Sequence, residues 1–360
     1  MLQENNLIEA DDDLIEDTNF EMDEVIEFKY SITSYGADYP VDGLVKRIKK
    51  DSKSIIIPEF QRSYVWTMKQ ASRFIESLLL GLPVPGVFFS KGEGNTFLVI
   101  DGQQRLKTLE YFYENNFLNK EFRLVNVQKK YLNKNYQELE PEDRRKLDDT
   151  IIHATIVKQD EPEEDQSSIY HIFERLNTGG TQLQPQEIRA SIYRGPFYSL
   201  ISELCVYPSW MEIYGNKSKR LKDQELILRF FAFFFYRNNY TKPMKEFLNK
   251  FMSKNRDFKI VSRNDMETAF KTSIDLINEA IGKKAFRPER GINASVFDSI
   301  MVGTYELIKS KKIFNIENYK KAYFDLLNDK DYIKSAQDGT SDEKTVHIRF
   351  NTAIKVFSEI

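Results

Sequence analysis

One cysteine, Cys205, stands among 360 residues, so no internal disulfide framework is possible and a reducing compartment suits the chain. Histidine is nearly as scarce. His153, His171 and His347 are far apart, which favours a structural role for each over metal ligation. Long apolar runs are missing as well. The densest, LILRFFAFFF at 226–235, is broken by Arg229, too short for a bilayer, and reads as a buried helix, so no membrane partner is expected. The chain does not open on a basic stretch followed by an apolar run, which points to the cytoplasm rather than to secretion. The P-loop pattern G-x-x-x-x-G-K-[ST] occurs nowhere.

What is present is enough for a full core. Hydrophobic residues make up 41% of the chain and aromatics 13%, with 27 Phe and 19 Tyr, which suits two packed lobes and excludes a disordered chain. The net charge of −3 hides an asymmetry: residues 1–27 carry eleven Asp or Glu and no Lys or Arg, which leaves +8 on residues 28–360. Such an arm reads first as a solvated, mobile tail; the sharper reading is a cover over a basic surface that a polyanion must displace.

Periodicity divides the remainder into a mixed part and a helical part. Residues 30–39 read as extended, and 41–50 as a short helix with Val41, Leu44, Val45 and Ile48 on one face. A strand at 55–57 stops at Pro58. Thr67 with Gln70 makes a capping box for a helix that buries Ala71, Phe74, Ile75, Leu78 and Leu79 and stops at Gly81 and Pro83. Residues 87–89 and 97–100 read as a hairpin, 150–157 as a strand, and 167–176 as a helix, with Pro185 opening another. Beyond about residue 196 the pattern is helical, near 223–237, 243–253, 263–281, 293–310, 317–328 and 343–358. The expected class is α+β: a small mixed sheet with helices over 28–195, then a helical domain over 196–360.

The chemistry gathers where VID at 99–101 meets GQQRLKTLEYF. Asp101 and Gln104 fit an Asp-x-x-Gln capping box, which leaves Gly102, Gln103 and Arg105 to be explained. Gly102 permits close approach to the backbone, and first-turn N–H groups at the positive end of a helix dipole form an anion site. Arg105 lies at the edge of the stripe formed by Leu106, Leu109, Phe112 and Tyr113. A partly buried guanidinium keeps its charge and needs a carboxylate or a phosphate. On the pentapeptide alone, cap and phosphate site are evenly matched.

Two further polar turns tilt the balance toward phosphate. PEFQRSYVW at 58–66 places Gln61 and Arg62 between a strand and a capped helix, and ERLNTGGTQLQPQEIR at 174–189 contains Asn177, Thr178, Gly179 and Gly180. The latter residues accept positive φ and suit a nest of convergent N–H groups, although a plain helix C-cap explains them too.

IPEFQRSYVW, GLPVPGVFFS, VIDGQQRLKTLEYF and FERLNTGGTQLQPQEIRAS together resemble the N-terminal domain of GmrSD-type restriction enzymes, in the ParB/sulfiredoxin-like superfamily. DGQQR stands where ParB nucleases carry a Gly-Glu-Arg-Arg phosphate motif, and the helical half is similar to the family's usual C-terminal half. The resemblance implies binding or hydrolysis of nucleoside triphosphates with Mg²⁺ in bacterial defence against phage or modified DNA. Carried over, Asp101, Gly102, Gln103, Gln104 and Arg105 would hold or activate the phosphates, Gln61 and Arg62 would line the pocket, and Asn177, Thr178, Gly179 and Gly180 would close it. Asp101, Glu59 or Glu174 would hold the metal or orient water. Several members fuse a histidine-dependent nuclease behind this domain; the three scattered histidines do not fit one, so this chain is not expected to cut DNA by that route. The alternative is a non-catalytic nucleotide- or DNA-binding subunit that docks a separate nuclease or effector, with oligomerisation open.

Overall fold

A computed structural model describes residues 31–49, 52, 54–57, 64–92, 94, 96–161, 167–176 and 183–360. The acidic arm lies outside the described residues, as do Glu59, Gln61, Arg62, Asn177, Thr178, Gly179 and Gly180. The chain divides into two compact units, one over Phe28–Leu183 and one containing Gln184–Ile360.

The first unit is built on five strands: β1 (Ser31–Pro40), β2 (Ile55–Ile56), β3 (Val87–Lys91), β4 (Phe97–Asp101) and β5 (Ile151–Glu161). Their order is β1-β5-β3-β4-β2. β3 sits in the middle, antiparallel to β4 and parallel to β5, while β1 closes antiparallel on β5 and β2 runs parallel to β4. Central position explains composition: Val87 and Phe89 of β3 and Val99 of β4 are fully buried, whereas the edge strand β1 is mostly exposed and built from small and polar residues.

Helices α1 (Val41–Ile48), α2 (Met68–Leu80), α3 (Gln103–Tyr113), α4 (Pro141–Asp149) and α5 (Ser167–Leu176) complete this unit. The Thr67–Gln70 capping box forms as the sequence predicts, and Gly81 ends α2 in the left-handed conformation at φ 73°. Leu106, Leu109 and Phe112 of α3 are fully buried in the same core as Ile75, Leu78 and Leu79 of α2. Deep burial of that stripe fixes how α3 lies, and so where its first turn points.

The second unit is helical: α6 (Pro185–Ile192), α7 (Pro196–Leu204), α8 (Pro208–Tyr214), α9 (Lys222–Tyr236), α10 (Met244–Lys254), α11 (Arg263–Ala280), α12 (Ala294–Lys309), α13 (Ile316–Asn328), α14 (Lys330–Gln337) and α15 (Glu343–Ser358). The apolar run of α9 is buried as expected. Its interrupting Arg229 meets the fully buried Asp298 of α12 at 2.6 Å.

The units part between Leu183 and Gln184, not at the 195/196 boundary expected from sequence. The reason lies in α6. Its Arg189 is 1% exposed and bonds the fully buried Asn249 (Nε to Oδ1, 2.8 Å) and the half-buried Glu225 (Nη1 to Oε2, 2.9 Å), both in the helical unit. Glu187, also buried, pairs with Arg220 at 3.1 Å. A guanidinium with both carboxylate and amide acceptors can be buried at modest cost, which makes α6 part of that core.

Candidate functional site

β4 runs into α3 through Gly102, whose φ of 99° lies in the left-handed region. Two constraints demand glycine. A Cβ there would stand 2.5 Å from Val87 Cγ1 and 3.3 Å from Arg105 Nη2. The close approach foreseen at this residue is therefore the protein's own, made by β3 and by the arginine one turn on.

Gly102, not Asp101, is the N-cap of α3, and as a glycine it supplies no side-chain cap. The Asp-x-x-Gln capping box expected of Asp101 and Gln104 does not form. Asp101 stays in the ladder as the last residue of β4, opposite Phe88. Its Oδ2 accepts from Arg105 Nη2 at 2.8 Å, and the same nitrogen donates to the Gly86 carbonyl at 2.8 Å. Gly86 ends the GLPVPG turn before β3, pressed so close to β5 that a Cβ would meet the His153 carbonyl at 2.6 Å. A turn that close to the sheet carries its carbonyl to the end of β4, within the arginine's reach.

The charge on Arg105 is thus met by an internal carboxylate, the first of the two partners that its burial demands. The pair is asymmetric: the Arg105 side chain is 16% exposed and that of Asp101 42%. Arg105 Nε is shielded from solvent and has no acceptor. The corner presents a guanidinium fixed at one edge, a half-exposed carboxylate, and a helix N-terminus without a side-chain cap.

Gln104 faces a different partner. Its Oε1 accepts from the backbone N–H of Val65 at 3.0 Å and of Trp66 at 3.3 Å. Thr108 Oγ1 donates to the Gln104 carbonyl at 2.7 Å, so the hydrogen shared with Tyr64 Oη, also at 2.7 Å, comes from the tyrosine. Burial pushes the Tyr64 hydroxyl up to about 12, against the pull of its Thr108 bond, so it stays neutral. Gln104 and Thr108 therefore fasten residues 64–66 to the first two turns of α3. Those residues directly follow PEFQRS. Gln103, the remaining amide of the motif, is buried.

Of the sequence-selected residues, Asp101, Gly102 and Arg105 come together at one corner, and Gln104 turns to the 64–66 segment instead. Glu174 lies on α5, which packs on β4 and β5, and its carboxylate is 3.6 Å from Nδ1 of the buried His171. His153 sits on β5 with Nδ1 2.8 Å from Asp38 of β1, an exposed cross-strand contact. Gly86, Val87, Tyr64 and Thr108 complete the corner; the sequence does not single them out as site residues, since their parts depend on approach across 15 to 44 residues of chain. Among the described residues no group of three or more His, Cys, Asp or Glu is placed to hold a metal ion, and no helix is long and apolar enough to cross a membrane.

A mixed α+β domain with a charged strand–glycine–helix corner is the class that these observations define. Residues 41–194, less than half of the 360 residues, match the family model of the GmrSD restriction endonuclease N-terminal domain. The match supports a protein of a restriction or defence system. It runs eleven residues past the compact unit, through α6. No curated protein matches the chain significantly.

Proposed function

We propose that this protein is the nucleotide-responsive component of a restriction or defence system, and that the β4–Gly102–α3 corner takes the phosphates of a nucleoside triphosphate. The observation that carries this reading is the state of Arg105. A guanidinium cannot shed its charge. This one is held by a single half-exposed carboxylate and one carbonyl, beside an uncapped helix start, with Nε unsatisfied. Phosphate oxygens arriving there would meet a cation already positioned, and first-turn amides with the helix dipole behind them.

Mg²⁺ binds through one or two carboxylates and the nucleotide's own phosphates, so a cluster of three acidic residues is not required. Asp101 is the carboxylate that the corner supplies for it; when bound, the metal would neutralise charge on the phosphate oxygens. The chain's own part in hydrolysis would be to orient the triphosphate and to hold Arg105 toward the charge that develops on it. Stabilisation of this kind is worth on the order of a thousandfold in rate.

The Asp101–Arg105 contact supports a second reading, binding without turnover, because the charge at the corner is already matched. Steady-state phosphate release separates the two. The first test is a thermal-shift panel of the four nucleoside triphosphates with Mg²⁺, on wild type and Arg105→Ala. A ligand at a hundred times its Kd stabilises by about 2.7 kcal/mol, and the variant should lose that shift. An equal shift in both proteins, or none in wild type, removes the reading.

A further inference from the structure

The two units differ in charge. Residues 28–183 hold 22 Lys or Arg and 22 Asp or Glu; residues 184–360 hold 30 and 22. All of the positive balance of the body therefore lies on the helical unit. Five of these 30 cations form ion pairs within the unit: Arg189 with Glu225, Arg220 with Glu187, Arg229 with Asp298, and Arg263 and Lys271 with Glu267.

The C-terminal end of α10 gathers three lysines within ten residues. Lys250 and Lys254 are exposed at i,i+4 on one face of the helix, beside the buried Phe247 and Phe251. Lys259 follows, exposed, just beyond the helix end. None of these three is paired with a carboxylate among the described residues. Over 244–261 the acids are Glu246, which is buried, and Asp257, the one exposed carboxylate. Two lysines a turn apart repel each other, and the helix dipole offsets only part of that.

An aromatic side chain positions this charge. Lys254 Nζ lies 5.6 Å from the Tyr236 ring centroid and donates to its hydroxyl at 3.1 Å. Tyr236 is itself stacked on Phe247, with centroids 5.9 Å apart and planes 21° from parallel. The next residue, Arg237, lies over Phe350 at 5.4 Å and keeps a shielded Nη1 without an acceptor. The result is a group of cations, one of them fixed over a ring, with no carboxylate paired to Lys250, Lys254 or Lys259 among the described residues.

We infer that the C-terminal end of α10, with the Tyr236–Arg237 corner of α9, is a contact surface for the phosphate backbone of duplex DNA. Charge complementarity identifies the partner as a polyanion, and the restriction-family match selects DNA. The contact is sequence-neutral: lysines reach phosphates, and no side chain here is arranged for base edges. It is independent of the α3 corner, so failure of nucleotide binding would leave it standing.

The test is fluorescence anisotropy of a labelled duplex with the full chain between 50 and 200 mM salt. It compares wild type, Lys250→Glu/Lys254→Glu, and a control of equal charge change, Lys320→Glu/Lys321→Glu on α13. The control lysines are exposed too, but Glu317 and Asp325 lie within about a turn of them on the same helix. The milder Lys250→Gln/Lys254→Gln guards against misfolding, with unfolding midpoints measured for all. The expected result is binding at least tenfold weaker for the α10 reversal, a salt slope shallower by roughly two, and a loss of threefold or less for the control. No salt-dependent binding by wild type, or an α10 loss no greater than that of the control, overturns the inference.

Discussion

Two arginine–aspartate pairs, one in each unit, show how differently the same chemistry is used. Arg229 and Asp298 meet at 2.6 Å with Asp298 fully buried, and the pair joins α9 to α12. Arg105 and Asp101 meet at 2.8 Å, four residues apart, with Asp101 42% exposed. In the first pair neither partner can be removed without stranding a charge away from water. In the second the carboxylate is already solvated and can let the arginine go. A pair that solvent can replace is one that a ligand can replace.

Mutations sharpen that contrast. Asp298→Ala should be the most damaging, at about 3–5 kcal/mol in urea unfolding, because it strands a buried guanidinium. A loss below 1 kcal/mol would mean that water reaches the pair, and the contrast would fail. Gly102→Ala should cost roughly 1–3 kcal/mol from left-handed strain alone, plus whatever displacement Val87 requires, and should move the start of α3. Gln104→Ala should cost about 1 kcal/mol in thermal unfolding, since it leaves the Val65 and Trp66 amides without their shared acceptor. Protease sensitivity should rise near residues 64–66 in the same variant. Asp101→Asn should be the mildest, within about 1 kcal/mol of wild type, as expected for an exposed ion pair. A larger loss would put Asp101 among the structural residues and weaken its place in the site.

Local signals in the sequence were reliable where neighbours in the chain decide the structure. The Thr67–Gln70 box, the stripe of α3, the 87–100 hairpin and the buried α9 all form as read, because capping, periodicity and turn chemistry act within a few residues. The site was legible only in part. Asp101 followed by Gly-Gln-Gln reads as a cap, yet the β4 ladder keeps Asp101 as a strand residue and a glycine takes the cap position. Gln104 reads as a ligand or capping amide, yet its acceptor is claimed by amides 38 and 39 residues away. Strand order is non-local in the same way, since β3 pairs parallel with β5 across two helices. α6 misled for another reason. Arg189 and Glu187 find partners inside the helical unit, and the first unit ends at Leu183. Charged residues that find partners in the fold are read as surface until the fold supplies those partners.

The measurement that bears most directly on the account is calorimetric binding of each nucleoside triphosphate with Mg²⁺ to wild type and to Arg105→Ala. Because Asp101 is solvated, the variant should keep its unfolding midpoint within a few degrees while its affinity for the favoured nucleotide falls at least a hundredfold. Undiminished affinity in a folded Arg105→Ala protein would show that the α3 corner is scaffolding and that any nucleotide binds elsewhere.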